Sequence, residues 1–215
     1  MKHNKQFSFD TINEFDNHIS NSIMGYNTLH QLIVNISSFF IKNNTIPVDL
    51  GCTTGKLISK IQKEYECKCI GYDITDKQFI KGLDLRKQDI TKDNFLIPRT
   101  NLIYSIFTMQ FIDFKYRENV LRKIYNALDK NGALIICEKE ICNNGIVQEV
   151  FTFSNYQYKQ DTFSANEILD KEKTLRKIMN CLESKENIKL FKSVGFETIE
   201  PFFQSLNFKG YICKK

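Results

Sequence analysis

Short apolar runs alternate with amphipathic segments through the middle of this chain. Each run is bounded by turn or charged residues, which is typical of strands buried in a parallel sheet. The segments between them, such as Lys56 to Tyr65, carry apolar residues at helical spacing. The pattern predicts an α/β protein with a parallel series of five strands. The predicted strands are Ile46 to Leu50, Cys67 to Asp73, a weak third strand leading to Gln88–Ile90, Asn101 to Thr108, and Ala133 to Glu138.

The last part of the chain follows a different pattern. The helix predicted over Tyr116 to Leu128 is expected to end at Asn131–Gly132 in a left-handed stop. A helix over Lys185 to Val194 is followed by two strand-like runs, Phe196 to Phe203 and Leu206 to Cys213. Too few residues separate these runs for a crossover helix, so they should pair antiparallel. We therefore expect a mostly parallel sheet that closes with a C-terminal hairpin.

Two further regions flank this core. Before the first strand, Thr11 to Ser22 and Thr28 to Ile41 read as helices, with Tyr26 in the break between them. No linker divides the chain, and 215 residues suit one domain with an insertion. The expected division is residues 1–44 for N-terminal helices, 45–141 for a nucleotide-binding core, 142–184 for a helical insertion, and 185–215 for the C-terminal helix and hairpin.

Composition narrows the class of protein. The net charge of +5 is mild and the basic residues are scattered, so direct nucleic-acid binding is not supported. No apolar run is long enough to span a membrane, and the first nine residues are polar. Seven irregularly spaced cysteines suit a reducing compartment, and neither they nor the three histidines form a metal pattern. We expect a cytoplasmic protein without a metal.

The most informative feature is the turn after the first predicted strand, Asp49-Leu50-Gly51-Cys52-Thr53-Thr54-Gly55. Glycines at a strand-to-helix junction allow a sharp turn and let a ligand approach the backbone. Asp73 ends the second strand 22 residues after Gly51, where a carboxylate can accept both hydroxyls of a ribose. The pattern predicts an adenosine-type ligand at the carboxyl edge of the sheet.

Spacing separates the ligand classes that use such a turn. Three residues lie between Gly51 and Gly55, whereas a phosphate-binding loop needs four residues before its Gly-Lys-Ser/Thr. The turn also lacks the second glycine of the dinucleotide fingerprint. What remains resembles motif I of the class I S-adenosylmethionine (SAM) dependent methyltransferases, whose ligand carries no phosphate. An ordinary strand-to-helix turn is the alternative.

Over nearly its full length the chain resembles carboxy-SAM synthases and the methyltransferases nearest to them. The resemblance rests most specifically on the Thr-Met-Gln-Phe run at Thr108–Phe111 and on Asn207–Phe208, with support from Asp49–Cys52 and Gly25–Tyr26. It implies a SAM or carboxy-SAM cofactor. In the synthases, prephenate supplies a carboxyl group to SAM, and the product later serves an enzyme that modifies the tRNA wobble uridine.

The resemblance also assigns site residues. Tyr26 would close over the methionyl end, although it could equally be a core aromatic. Backbone groups of Gly51 to Thr53 would line the ligand, Asp73 and Ile74 would hold the ribose and adenine, and Asp89 with Ile90 would meet the adenine edge. The full candidate set for cofactor binding is Tyr26, Asp49, Gly51, Cys52, Thr53, Gly55, Asp73, Ile74, Asp89, Ile90 and Ile106.

Two departures from the synthase pattern are evident. Glu172 stands where the synthases have an arginine that pairs with the extra carboxylate, and a glutamate repels a carboxylate at close range. A small alignment shift would bring Lys171 or Lys173 there instead. Ile106 replaces an expected asparagine. Both changes weigh against carboxy-SAM formation and leave SAM binding intact.

Three functions remain open. The first is transfer of a one-carbon group from SAM to an unidentified small-molecule acceptor, the second is carboxy-SAM synthesis, and the third is SAM binding without catalysis. Glu138, at the end of the fifth strand, is the best-placed candidate base, with a salt-bridged strand end as its alternative. The resemblance further implies a homodimer formed through the helical insertion.

Overall fold

The computed structural model describes residues 15–215, and the chain there is organised around one seven-stranded sheet. The strands are β1 Val48–Leu50, β2 Ile70–Asp73, β3 Leu85–Lys87, β4 Thr100–Ile106, β5 Leu128–Lys139, β6 Thr198–Ser205 and β7 Phe208–Lys214. The helices in this range are α1 Phe15–Ser20, α2 Tyr26–Ser37, α3 Lys56–Tyr65, α4 Phe114–Ala127, α5 Gly145–Gln160, α6 Ala165–Ile178 and α7 Ser184–Ser193, with a 3-10 turn at Met109–Phe111.

The strand order in space is β3-β2-β1-β4-β5-β7-β6. Neighbours from β3 to β5 are parallel, and β7 runs antiparallel to both β5 and β6. The direct connection of β6 to β7 permits only an antiparallel pair, as expected. The predicted fold class, a mostly parallel sheet with a C-terminal antiparallel hairpin, N-terminal helices and a helical insertion, is confirmed.

The alternation of side chains along the strands builds a core on each face of the sheet. On β4, Ile103 joins the cluster that packs against α4 and α7, whereas Leu102 and Tyr104 join the cluster beneath α2 and α3. The first cluster includes residues of β1, β2 and β7, and the second extends to Phe208 of β7. The helices therefore cover the two faces and leave the carboxyl ends of the parallel strands as a common edge.

The helical stop predicted at Asn131–Gly132 is wrong. Helix α4 ends at Ala127 and β5 begins at the next residue, Leu128. Asn131 does adopt a left-handed φ of 67°, but it lies in an irregular part of β5, where the pairing with β4 shifts register. There Asn131 N–H donates to Lys215 O and Lys215 N–H donates to Gly132 O, so the chain terminus fixes this turn.

Other element boundaries also differ from the prediction by a few residues. Tyr26 is the first residue of α2 rather than part of a break, since Gly25 before it takes a φ of 80° and starts the helix. The first N-terminal helix was expected from Thr11, and its first four residues lie outside the described range. Strand β2 begins only at Ile70, because its partner β1 offers pairing positions only from Val48 onward.

Candidate functional site

The glycine turn between β1 and α3 packs directly against the end of β4. Gly51 has a φ of 80°, and a Cβ atom placed on it would lie 2.2 Å from Thr108 Oγ1. Gly55, with a φ of 84°, begins α3 beside Leu85 of β3. Only glycine satisfies both the left-handed backbone and the close approach at Gly51. The motif that follows β1 thus contacts the segment after β4 and the first residue of β3.

The backbone donors of this turn have partners within the protein. The N–H groups of Gly51 and Cys52 donate to Tyr72 O at 2.7 and 3.1 Å. The N–H of Thr53 donates to Asp73 Oδ2 at 2.9 Å. A ligand that used these donors would have to replace the bonds, so their assignment to the ligand stays a prediction.

Asp73 is held in a fixed orientation at the end of β2. Its Oδ2 accepts from Thr53 N–H, and its Oδ1 accepts from Thr75 N–H at 3.1 Å. Each carboxylate oxygen can accept a further hydrogen bond, so the geometry is compatible with two ligand hydroxyls. Ile74 beside it is 69% exposed and offers an apolar surface at the same edge.

Asp49 is the most unusual group of the site. It lies in the middle of β1, is 3% exposed, and its Oδ1 has no hydrogen-bond partner among the residues that the structure describes. Burial, reinforced by the nearby charge of Asp73, raises the pKa of Asp49 to about 8. A buried carboxylate of this kind is stabilised when a cationic group approaches it.

Tyr26 lies on the same face of the sheet as Asp49. Its ring packs at 4.4 Å from that of His30, one turn further along α2, and it is buried. Burial, followed by the charges of Asp16 and Asp49, holds its pKa above the ordinary range for tyrosine. Thr54 Oγ1 donates to Asp16 at 3.2 Å, which ties α1 to the glycine turn. The N-terminal helices therefore adjoin the site.

Asp89 and Ile90 both make contacts within the protein that do not require a ligand. Asp89 Oδ1 accepts from Thr91 N–H at 3.0 Å and from Thr91 Oγ1 at 2.6 Å, and the pKa of Asp89 is lowered chiefly by that hydroxyl. Ile90 is buried in the core cluster that includes Tyr72 and Phe95. Their proposed contact with adenine stays a prediction.

The end of β4 carries strain that the sequence does not reveal. Ile106 is half-buried at its last position, and the next residue, Phe107, has a φ of 58°. A bulky side chain in this left-handed region is unusual and is often found near a ligand site. Phe107 N–H donates to Cys137 O at 2.7 Å, and its ring meets that of Phe208 edge-on at 5.6 Å.

Glu138 lies beneath the 3-10 turn that follows β4. It is buried, and its Oε1 accepts from Met109 N–H at 3.1 Å. Burial raises the pKa of Glu138 to about 8, and the nearby guanidinium of Arg117 offsets this only in part. Such a carboxyl group can hold or accept a proton near neutral pH, and it also anchors the Met109 backbone.

The structure separates the three charged residues of α6 that were candidates for carboxylate recognition. Glu172 is buried and bonds to Lys159 Nζ at 2.8 Å. Lys171 lies on the inner side, 2.8 Å from Ser22 Oγ and 2.5 Å from His18 Nε2. Lys173 is exposed and pairs with Asp170. Sequence reasoning found Glu172 but missed Lys159, since nothing in the local pattern links residues on two helices.

In residues 15–215 no group of three or more His, Cys, Asp or Glu side chains is arranged to hold a metal ion. No helix in that range is both long and apolar enough to cross a membrane. The unpartnered Asp49, the oriented Asp73 and the tight Gly51 turn together fit a cationic ligand that carries a ribose. SAM has both properties.

Comparisons with known proteins agree with this chemistry. A family model described as a methyltransferase domain matches residues 48–136. The chain is 28% identical to the carboxy-SAM synthase of Staphylococcus epidermidis over 97% of its own length and 95% of that protein. It is 29% identical to the carboxy-SAM synthase of Helicobacter pylori, covering 99% and 96% of the two chains.

Solved structures of methyltransferases share the fold. A SAM-dependent methyltransferase from Thermotoga maritima matches with a TM-score of 0.59 and 16% identity over 96% of this chain and 97% of that one. Human N-acetylserotonin methyltransferase in complex with SAM matches with a TM-score of 0.55 and 14% identity over 87% of this chain, which spans 55% of that protein.

Residues 48–136 are similar to a methyltransferase domain, and the fold is one that SAM-dependent methyltransferases share. The two relatives described above, which match nearly the full chain, are named carboxy-SAM synthase, and these similarities support a SAM-dependent transferase.

Proposed function

We propose that this protein transfers a methyl group from SAM, bound at the carboxyl edge of the sheet, to a small-molecule acceptor. The observation that carries the proposal is the pair of carboxylates on adjacent strands. Asp49 is buried and its Oδ1 accepts no hydrogen bond from residues 15–215, and Asp73 is fixed with both oxygens accepting backbone N–H groups. The first suits the cationic end of the ligand, and the second suits its ribose.

The residues of the site would hold and orient the cofactor. Asp73 would orient the ribose, Ile74 would cover the adenine, and Gly51 would admit the ligand next to the backbone. Bound SAM supplies an electrophilic carbon attached to a positively charged sulfur, so that alignment of the acceptor is the main task left to the protein. Tyr26 lies at the same edge and would exclude water from the methionyl end.

Glu138 is our candidate for removing a proton from an acceptor that arrives protonated. Its pKa of about 8 permits proton uptake near neutral pH. A Glu138→Gln substitution keeps the bond from Met109 N–H, so a loss of turnover with unchanged SAM affinity would support a role as base. Unchanged turnover would leave Glu138 as an anchor for the loop.

Carboxy-SAM synthesis is the second candidate function, supported by the names of relatives that match the full chain. By the family resemblance its product would feed tRNA wobble-uridine modification. Against it stand Ile106 and the charge of Glu172 at the position of the expected arginine. SAM binding without catalysis is the third.

We also propose that the chain works in the cytoplasm as a single SAM-binding domain and pairs with a second copy of itself. All seven cysteines are free thiols, which supports a reducing compartment. On α5, Ile146, Val150 and Phe153 follow one another at helical spacing and are 75%, 55% and 64% exposed. Light scattering on a Val150→Asp/Phe153→Asp variant should show a dimer lost; a monomeric wild-type protein would contradict this proposal.

Calorimetric titration with SAM tests the cofactor site. Asp73→Asn should weaken SAM binding by at least about tenfold, equivalent to ~1.4 kcal/mol, because one ribose acceptor becomes an amide donor. Asp76→Asn is the matched control, since Asp76 is exposed and pairs with Lys87 at 3.2 Å. Equal affinities in all three proteins would contradict the ribose assignment.

Mass spectrometry of the small molecule that co-purifies with the protein separates the candidate functions. SAM or S-adenosylhomocysteine would support methyl transfer. Carboxy-SAM, together with consumption of prephenate in the absence of any methyl acceptor, would contradict methyl transfer and support carboxy-SAM synthesis. Ligand binding without methyl transfer and without carboxy-SAM synthesis would support the third candidate, SAM binding without catalysis.

A further inference from the structure

A buried carboxylate on α6, within the helical insertion, is held between two ammonium groups. Glu172 Oε1 lies 2.8 Å from Lys159 Nζ, and Glu172 Oε2 lies 3.8 Å from Lys139 Nζ. The side chains of Glu172 and Lys159 are each 5% exposed, whereas that of Lys139 is 22% exposed. The three residues come from α6, α5 and β5, so that three separate elements meet at one carboxylate.

This cluster adjoins the carboxyl edge of the sheet. Lys139 is the last residue of β5 and follows Glu138 directly. Its ammonium lies 5.8 Å from the centre of the Phe208 ring, and Phe208 meets the strained Phe107 at the end of β4. The backbone N–H of Lys139 donates to Gln110 Oε1 at 2.7 Å. The cluster is therefore continuous with the loops that border the candidate SAM site.

The two lysines make a pocket suited to a carboxylate. Burial by itself raises the pKa of Glu172, but Lys139 and Lys159 outweigh burial and leave the pKa below its ordinary value. The pKa of Lys171, next in the chain, is lowered to about 7 by burial and then by the charge of Lys159. The surroundings of Glu172 are thus strongly positive, which favours an anion at this place.

We propose that Lys139 and Lys159 form an anion pocket that Glu172 fills from within the chain, so that the pocket refuses ligands carrying a carboxylate at this position. Glu172 acts as a tethered counter-anion and a specificity-determining residue. The effect on ligand choice rests on the proposed SAM site, and it selects SAM and uncharged acceptors over carboxylated ones. Removal of the Glu172 carboxylate opens the pocket to a small free carboxylate.

The first test is chemical rescue of Glu172→Ala by acetate. Acetate should raise the midpoint of thermal unfolding of this variant along a saturating curve, compared with chloride at the same ionic strength. The wild-type protein and Asp170→Ala, which loses an exposed carboxylate from the same helix, should show no acetate effect. Identical responses of Glu172→Ala to acetate and chloride would overturn the pocket.

The second test compares the dissociation constants of SAM and carboxy-SAM by calorimetry. The wild-type protein should favour SAM, and Glu172→Ala should move the ratio of the two constants about tenfold toward carboxy-SAM. Glu172→Gln, which keeps the shape and removes the charge, should move it in the same direction and serves if the alanine variant does not fold. An unchanged ratio in both variants, or a wild-type preference for carboxy-SAM, would overturn the exclusion.

The two tests fail independently of the proposed function. Acetate rescue without binding of either cofactor to the wild-type protein would support the pocket and contradict the SAM site. SAM binding to the wild-type protein without acetate rescue or a shift of the ratio would support the SAM site and contradict the pocket.

Discussion

Asp49 and Glu172 both carry buried carboxyl groups, yet the charges around them differ. Asp49 lies in β1 with an unpartnered Oδ1, and burial raises its pKa to about 8. Glu172 lies on α6 between two ammonium groups, which overcome the effect of burial and lower its pKa. The two differ by only one percentage point in exposure, at 3% and 4%.

The difference teaches that burial alone does not decide what a carboxylate does. A buried carboxyl group without a partner stays protonated near neutral pH, and an approaching cation favours its ionised form, which is a property of a binding site. A buried charge with two partners of opposite sign is complete within the chain. The first position is open to a ligand, and the second is already filled.

Glu172→Ala should have the largest effect on stability, because it removes the carboxylate that lies between Lys139 and Lys159. Loss of one member of a buried pair leaves Lys159 charged and unpaired, so we expect the free energy of unfolding to fall by about 3–5 kcal/mol. Urea unfolding followed by circular dichroism measures it. A fall below about 1 kcal/mol would mean that Lys159 has other compensation.

Gly51→Ala should disturb the backbone turn that follows Asp49 and β1. The new Cβ would overlap Thr108 Oγ1, and alanine is strained at a φ of 80°, so we expect a destabilisation of about 2–4 kcal/mol. Gly82→Ala is a matched control, since Gly82 has a φ of 88° but no atom within 4 Å of an added Cβ. Equal losses in the two variants would show that the close contact contributes nothing.

Asp49→Asn should raise the free energy of unfolding, where the two preceding substitutions lower it, and the size of the effect should depend on pH. Folded Asp49 keeps its proton up to about pH 8, whereas the unfolded chain releases it near pH 4, so this group destabilises the folded protein increasingly as pH rises between these values. In the absence of ligand, Asp49→Asn should therefore stabilise the protein by at least about 2 kcal/mol at pH 8 and by no more than about 1 kcal/mol at pH 4.5. Urea unfolding at both pH values measures the difference. A pH-independent effect would mean that Asp49 is ionised in the folded state.

Asp170→Asn should have the smallest effect on stability, and it tests whether burial is what distinguishes Glu172 from other carboxylates of α6. Asp170 pairs with Lys173 at 3.4 Å on the exposed side of α6, two residues before the buried Glu172. Solvent screens this pair, and we expect a change below about 0.5 kcal/mol in the free energy of unfolding. A loss comparable with that of Glu172→Ala would mean that α6 is sensitive to any change of charge.

Much of the fold follows from local patterns. Helix α3 begins and ends at the predicted residues, Lys56 and Tyr65, because a glycine turn precedes it and its apolar spacing is regular. Strand β4 is a continuous apolar run and is displaced by only one or two residues at its ends. The stop at Asn131–Gly132 was misjudged because its turn is stabilised by Lys215, which no local pattern connects to it.

The candidate site was predicted less completely. The motif placed Asp49, Gly51 and Asp73 at neighbouring strand ends, because strand order and periodicity carry that information. The absence of a partner for Asp49, the positive φ of Phe107 and the pairing of Glu172 with Lys159 depend on contacts between distant segments. Those contacts have no signature at the level of residue type.

The burial of Lys159 and Glu172 on different helices also restricts the evolutionary routes open to this protein. Loss of the charge at position 172 leaves Lys159 buried without this partner, and loss of the charge at position 159 leaves Glu172 with Lys139 at 3.8 Å. The two residues should therefore be inherited together or replaced together by apolar residues. An arginine at position 172 would become a third cation beside Lys139 and Lys159. A lineage moving in either direction between glutamate and arginine must therefore change its lysines first, and the order of substitutions among relatives should record it.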